Sequence, residues 1–471
     1  MHPAGDRPST TQETGLRRAL TGRQLSMIGL GGAIGTGLFL GSGLAISHAG
    51  PATVLAYAAC ALVAFVLAWA LAEMVTVHPE AGSFGAVAQR YLGPLAGFVQ
   101  RWTYWTIQVI AIGGEVVACG IYLQFWWPQL PLWLPVVVCS AVVLGANAAA
   151  VRFFGTVEYW LAMVKVVAIA VFILLGVVLI TVGLPRSPAT GFGNLTEHGG
   201  WLPHGVSGLF LAMVFVLFSY VGTEVVAVTA AESENPARDI PRAARRMVVR
   251  LVLFYVLAMA VVLTVVPWTT TAARGGTIEA SPFVRVFADA GVPAAATITN
   301  FVVITAALSS ANTNLYLTTR MLHSLARDRY APAWTGRVSR AGVPRNALLL
   351  SALGLALAAT LSATAADSAY IALFGVSVFG ALVVWILILV THWAFRRAGA
   401  DRDAPARLWG APYTSGLAAL FLCAVLVSTA FIEGLEAAWL AGVPFFALLV
   451  VVFLVMRRLR PDCSPPDSRP E

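Results

Sequence analysis

Lysine is almost absent from this chain of 471 residues: arginine supplies all but one of its thirty basic residues, and the exception is Lys165. A Walker loop needs Gly-Lys-Ser or Gly-Lys-Thr. The single lysine follows Val164, which excludes an ATP-driven pump on this chain and leaves gradients as its energy source. Charge of either sign is scarce, at 11% of residues against about 25% in a soluble domain. Water is therefore not the main solvent for most of the chain. Cys60, Cys119, Cys139, Cys423 and Cys463 show no paired spacing, and four of them fall in apolar runs, where cysteine behaves as a small hydrophobe. The seven histidines, His2, His48, His78, His198, His204, His323 and His392, form no metal-spaced pair. No disulfide framework, metal site or cofactor motif is read. An integral membrane enzyme would need His, Asp or Glu clustered at a membrane-water face, and the scattered histidines give no such cluster.

What the chain has in quantity is apolar sequence, 59% of its residues. About 20 consecutive apolar residues cross a bilayer. Twelve such runs can be drawn, at roughly 24 to 46, 51 to 77, 97 to 125, 133 to 150, 158 to 182, 206 to 231, 248 to 267, 293 to 321, 345 to 361, 368 to 394, 412 to 432 and 438 to 457. Pro51, Pro128, Pro131, Pro293 and Pro344 sit at the junctions, where a residue without an amide donor starts or ends a helix. Trp126, Trp127, Trp133, Trp268, Trp409 and Trp439 lie near predicted ends, as an aromatic belt requires. The first fifteen or so residues lack the apolar core of a secretory signal, so the first span is expected to direct insertion itself.

The formal net charge of +8 raises the question of a nucleic-acid partner, and the positions of the basic residues answer it. Twenty-six of the thirty lie in alternate segments that include both termini, Arg186, Arg274 and Arg285 lie in the other segments, and Lys165 lies within a span. That is a positive-inside pattern. It predicts an even number of spans in the cytoplasmic membrane with both termini cytoplasmic, the lipid bilayer as partner and no nucleic acid. Nothing in the sequence fixes an oligomeric state.

Two spans carry chemistry in mid-run. In span 1, Gly29-Leu30-Gly31-Gly32-Ala33-Ile34-Gly35-Thr36-Gly37 packs five glycines into nine residues, where each costs about 1 kcal/mol of helix propensity. Such density suits close helix packing. It equally suits an unwound segment, which is tolerated at membrane depth only where it lines a cavity or is buried in protein. In span 6, Phe218-Ser219-Tyr220-Val221-Gly222-Thr223-Glu224 again puts glycine, hydroxyls and an acid into an apolar run. Two interrupted helices five spans apart mark an inverted-repeat transporter with its site at the breaks, where half-helix amino termini present N-H groups to a carboxylate.

The run GGAIGTGLFLGSG, Gly31 to Gly43, resembles the helix 1 signature of the amino acid/polyamine/organocation superfamily. Its bacterial amino acid permease branch is also resembled by Ala72-Glu73-Met74 with Pro79-Glu80-Ala81-Gly82-Ser83-Phe84, by TAAESENPARDIPRA from Thr229 to Ala243, and by NFVVITAALSSANTNLY from Asn300 to Tyr316 with Arg320-Met321-Leu322. The similarity runs from about Leu20 to Arg458. It implies an all-α LeuT-type fold of about 12 helices, a 5+5 inverted repeat plus two peripheral helices. The expected division is a cytoplasmic tail at 1–20, the transport core at 21–400, peripheral helices 11 and 12 at 401–460 and a disordered tail at 461–471.

The resemblance further implies an amino acid as small-molecule substrate, its carboxylate on the backbone of Ile34, Gly35, Thr36 and Gly37 and its amine on that of Phe218, Ser219 and Val221, beside Gly222. Phe218 matches the aromatic that closes over substrate. Three ionisable residues, Glu115, Lys165 and Glu224, lie well inside spans, where each costs at least about 2.5 kcal/mol to insert and is a functional candidate or part of a structural ion pair. Glu73, near the end of span 2, can reach the interface and is read as structural or gating. Sodium-coupled relatives hold an ion between helices 1, 5 and 8, and the resemblance puts Lys165 in that place in the proton-coupled branch. Ser309 and Ser310 match the hydroxyls of the sodium site. The expectation is uptake of a neutral amino acid by proton symport with alternating access. An exchanger or a sodium-coupled symporter of the same fold is the alternative.

Overall fold

The computed structural model describes residues 27, 29, 31–78, 83–148, 151–184, 187–228, 235–272, 281–289, 293–339, 344–402 and 404–459. The tails at 1–20 and 461–471, Pro79 to Gly82, Thr229 to Glu234, and the outer arginines Arg186 and Arg274 lie outside them.

Among the described residues, helix occurs in each of the twelve predicted stretches. Span 1 ends in the helices Thr36–Phe39 and Gly41–Ala49, and span 2 is Thr53–Val77. Spans 3, 4 and 5 are Pro94–Gln124, Trp133–Ala148 and Val151–Thr181. Span 6 is Gly205–Ser219 followed by Val225–Val228, and span 7 is Pro236–Val265. Span 8 is Pro293–Arg327, span 9 is Arg345–Ser351 with Leu353–Thr364, and span 10 is Ala366–Arg397. Spans 11 and 12 are Tyr413–Ser428 and Glu436–Leu459. Among the described residues, nine helical stretches are long and apolar enough to cross a membrane. The chain is a multi-pass membrane protein.

Several helices run beyond their apolar limits. Span 7 begins twelve residues before the predicted edge, at Pro236, where a proline without an amide proton suits the first helical turn. Short helices Ser83–Leu92, Trp268–Ala272 and Pro282–Asp289 occupy segments between spans. Gly183–Leu184 pairs with Ser187–Pro188 as a two-stranded hairpin, too short to leave a period in the sequence.

Span 3 forms the centre, against spans 8 and 10, while span 2 lies on span 7 and the Gly41–Ala49 helix of span 1 on span 6. Spans 11 and 12 pack on span 10 and turn Leu417, Leu420, Leu448, Val451 and Leu454 outward, as a lipid-facing surface requires. Trp127, Trp133 and Trp409 are exposed near helix ends. Trp268 instead is buried, its indole N-H donating to the carbonyl of His198 at 2.9 Å.

Glu73 is shut off from solvent. It is fully buried and holds the end of span 10 to the chain that follows. Arg396 Nε lies 2.7 Å from its Oε1, while His392 Nε2 and the amide of Leu408 lie 3.2 and 2.8 Å from its Oε2. Arg396 also donates to Asp401 Oδ2 at 2.7 Å. Removing one member of a buried pair strands the other charge, at about 3 to 5 kcal/mol. Glu73→Ala is therefore expected to lower the unfolding temperature in detergent by several degrees. An unchanged midpoint would contradict a bracing role.

Candidate substrate and coupling site

The helix of span 1 stops at Ala33, passes through Ile34 and Gly35, and restarts at Thr36. An interrupted helix leaves carbonyls and amides without intrahelical partners, and at this depth each needs one from elsewhere in the protein. Lys165 Nζ of span 5 donates to Gly31 O at 2.6 Å and to Ile34 O at 2.9 Å. Tyr255 Oη of span 7 donates to Ala33 O at 2.9 Å. Ser310 Oγ of span 8 lies 3.4 Å from Gly32 O and 2.9 Å from Glu115 Oε1, so its one proton serves the carboxylate first. On the amide side, Thr36 N-H donates to Glu115 Oε2 of span 3 at 3.2 Å. A carboxylate thus sits at the amino end of the helix that restarts at Thr36, where the exposed N-H groups favour negative charge.

Span 6 breaks between Ser219 and Val225. Gly222 has φ +107°, a conformation in which side chains are strained, and its N-H donates to Glu224 Oε2 at 3.0 Å. The two breaks touch through backbone. A Cβ on Gly222 would lie 2.8 Å from Ala33 Cα and N, and one on Gly37 would lie 2.9 Å from Ser219 Cα. The crossing is braced by Tyr57 of span 2, whose Oη lies 3.1 Å from Ser219 Oγ and whose carbonyl accepts from Tyr220 Oη at 3.0 Å. The ring of Phe218 packs on Phe374 of span 10, with centroids 4.5 Å apart, so it faces the bundle rather than lipid. Phe218 and Val221 join Val378, Ala381, Leu382 and Trp385 around a small apolar pocket.

Ile34, Gly35, Thr36, Gly37, Phe218, Ser219, Val221 and Gly222 therefore meet at one crossing. Lys165, Glu115 and Ser310 touch the span 1 side of it. Glu224 is set apart from Lys165, beside Tyr104 and Trp385, where it caps the broken end of span 6. Ser309 has a different acceptor from Ser310, its hydroxyl donating to Glu158.

Glu158 was not among the residues singled out by the sequence. It is fully buried on span 5 and accepts from Asn312 Nδ2 at 3.4 Å as well as from Ser309. Asn312 is held in turn by Asn147 Nδ2, 2.7 Å from its Oδ1. Lys165 interacts electrostatically with both Glu115 and Glu158. Tyr255 also went unread, because a tyrosine in an apolar run carries no mark of its partner.

The chain is 40% identical over 414 residues to the aromatic amino acid transport protein AroP of Escherichia coli (strain K12), covering 88% of this chain and 89% of that one. It is 37% identical over 443 residues to the probable threonine/serine transporter YbxG of Bacillus subtilis (strain 168), with 93% and 95% covered. It is likewise 37% identical over 446 residues to the amino acid permease YtnA of the same organism, with 94% and 95% covered. Residues 24–463 match the amino acid permease family. The chain belongs to that family, a transporter and not an enzyme.

Proposed function

We propose that this permease takes up a neutral amino acid across the cytoplasmic membrane by proton symport, with both termini in the cytoplasm and with spans 1–5 and 6–10 as the two repeats of the core. The observation that carries the coupling is the seat of Lys165, whose ammonium bridges Gly31 O and Ile34 O and so does the work of a bound cation in holding the break. The substrate carboxylate binds the backbone of Ile34, Gly35, Thr36 and Gly37, a reading supported by the Glu115 carboxylate already on the Thr36 N-H. The amine binds the carbonyls of Phe218, Ser219 and Val221. A neutral side chain is supported by the pocket beside Phe218 and Val221, whose lining carries no charge.

Proton coupling follows from exchangeable charge. Protonated, Lys165 ties span 5 to the helix before the break and to the break itself and fixes the arrangement that accepts substrate. Deprotonated towards the cytoplasm, it keeps two N-H donors but loses the charge that strengthens both bonds, which loosens the inner half of span 1 and releases substrate.

Competition by unlabelled compounds tests the recognition. Hydrogen bonds to a charged group are worth about 1.5 to 3 kcal/mol, so amino acid amides and plain carboxylic acids are expected to compete at least about tenfold more weakly than the best α-amino acids. A panel of twenty amino acids against one labelled substrate ranks the side chains at the same time. An amine without a carboxylate that competes as well as the best amino acid would turn the reading towards an amine carrier.

A further inference from the structure

We propose that Glu158 receives the proton that Lys165 gives up and hands it to the cytoplasm. The inference rests on the proton-symport reading and on its orientation, and names the residue that completes the path.

Glu158 and Lys165 are seven residues apart on one helix, about two turns, so they lie on the same face with Glu158 roughly 10 Å nearer the amino-terminal end. In the proposed orientation that end is cytoplasmic. Both residues close on Gly31. Lys165 Nζ donates to Gly31 O at 2.6 Å, and a Cβ added at Gly31 would collide with Glu158 Oε1. The inner half of span 1 is thus the element that covers lysine and acid together. When it moves, it uncovers both.

The surroundings of Glu158 suit a carrier that takes and loses a proton. It is fully buried, and a buried carboxylate is costly unless hydrogen-bonded or paired. Its hydrogen-bond partners are neutral, Ser309 and Asn312 of span 8, with Asn312 held by Asn147 of span 4. Span 1 presents no charge to it. Among the described residues Lys165 is the one charged group that acts on it. Among the described residues no arginine pins its charge, in contrast to Glu73 with Arg396. The transfer breaks one N-H bond of the ammonium and leaves the electron pair on Nζ. It forms one O-H bond on the carboxylate, and cytoplasmic water later accepts that proton.

The test uses the full chain in liposomes, with an equimolar mixture of the twenty labelled amino acids as probe and a pH-sensitive dye inside. Glu158→Gln keeps the hydrogen-bonding shape and removes the proton acceptor. Coupling between two ligands spans about 5- to 150-fold. Glu158→Gln is therefore expected to lose at least about tenfold in accumulation driven by an acid exterior, and to lose the proton entry that accompanies substrate. Exchange at equal pH persists. Glu158→Asp restores both losses in part. Accumulation and proton entry by Glu158→Gln at the level of the parent protein would overturn the proposal while leaving proton symport intact. Loss of exchange together with loss of substrate binding would overturn it in favour of a purely structural brace. A parent protein that accumulates substrate on a sodium gradient and ignores pH would overturn the symport reading and this path with it.

Discussion

Lys165→Ala is expected to lose accumulation of amino acid against a gradient, by about tenfold or more, while still exchanging substrate across the membrane. The side chain is buried and its ammonium is the common partner of Gly31 O and Ile34 O. Without it, the two carbonyls lose hydrogen bonds worth about 3 kcal/mol together, so uptake has to be normalised to folded protein in the membrane. What remains can bind and move substrate but has no group there to gain a proton outside and lose it inside. Lys165→Arg separates charge from chemistry. Arginine is protonated at every accessible pH, so it fills the site and stalls net uptake. Accumulation by the alanine variant under a pH gradient would move the proton to Glu115 or Glu224. Accumulation that follows sodium at fixed pH would hand the site to sodium, with Ser309 and Ser310 as its hydroxyls.

Gly222→Leu and Gly35→Leu are each expected to abolish uptake, with the protein still present in the membrane, and for different physical reasons. At Gly222 the backbone itself is the obstacle. Its φ of +107° disfavours any side chain, and the neighbour at 2.8 Å is the main chain of Ala33, which no rotamer change can clear. Gly222→Ala is then expected to be nearly as damaging. At Gly35 the backbone is ordinary, with φ −130°, and the obstacle is space. A Cβ there would lie 2.6 Å from Glu115 Oε1 and 2.7 Å from Ser310 Oγ, side chains that can turn aside for a methyl group but not for leucine. Gly35→Ala is expected to retain measurable transport where Gly222→Ala does not. Uptake by both leucine variants at the parent rate would remove the two-break site.

Much of this was written in composition and spacing. The breaks were legible because glycine is costly inside a helix, so Gly29 to Gly37 and Gly222 had to serve some purpose. Lys165 was legible because it is the only lysine and stands in the middle of an apolar run. Glu158 was not, since it falls at the predicted start of span 5, where an acid needs no explanation. Its burial comes from Ser309 and Asn312, about 150 residues further on. The structural reading of Glu73 agrees with its contacts, but its burial was not legible. Its place near a helix end suggested access to water, yet His392, Arg396 and Leu408 fold over it, and no local pattern announces such partners. The helices Ser83–Leu92 and Pro282–Asp289 escaped notice because they are too short to span and too polar to stand out.

The contact of Gly222 with Ala33, and of Gly37 with Ser219, has a consequence for how the proposed site measures its ligand. Side chains that meet can repack, whereas bare main chains that meet have no rotamers, so the gap between the two breaks is set by peptide geometry. Under the proposed reading one break grips the carboxylate and the other the amine. The junction then acts as a gauge of fixed width, matched to two groups on a single carbon and indifferent to the third. Lengthening the spacing by one methylene, as in a β-amino acid, spoils the fit whatever the side chain. Selectivity among α-amino acids falls instead to residues such as Val378, Ala381 and Trp385, which can change without disturbing the gauge. A family organised this way can carry aromatic side chains in one member and small hydroxylated ones in another on the same frame.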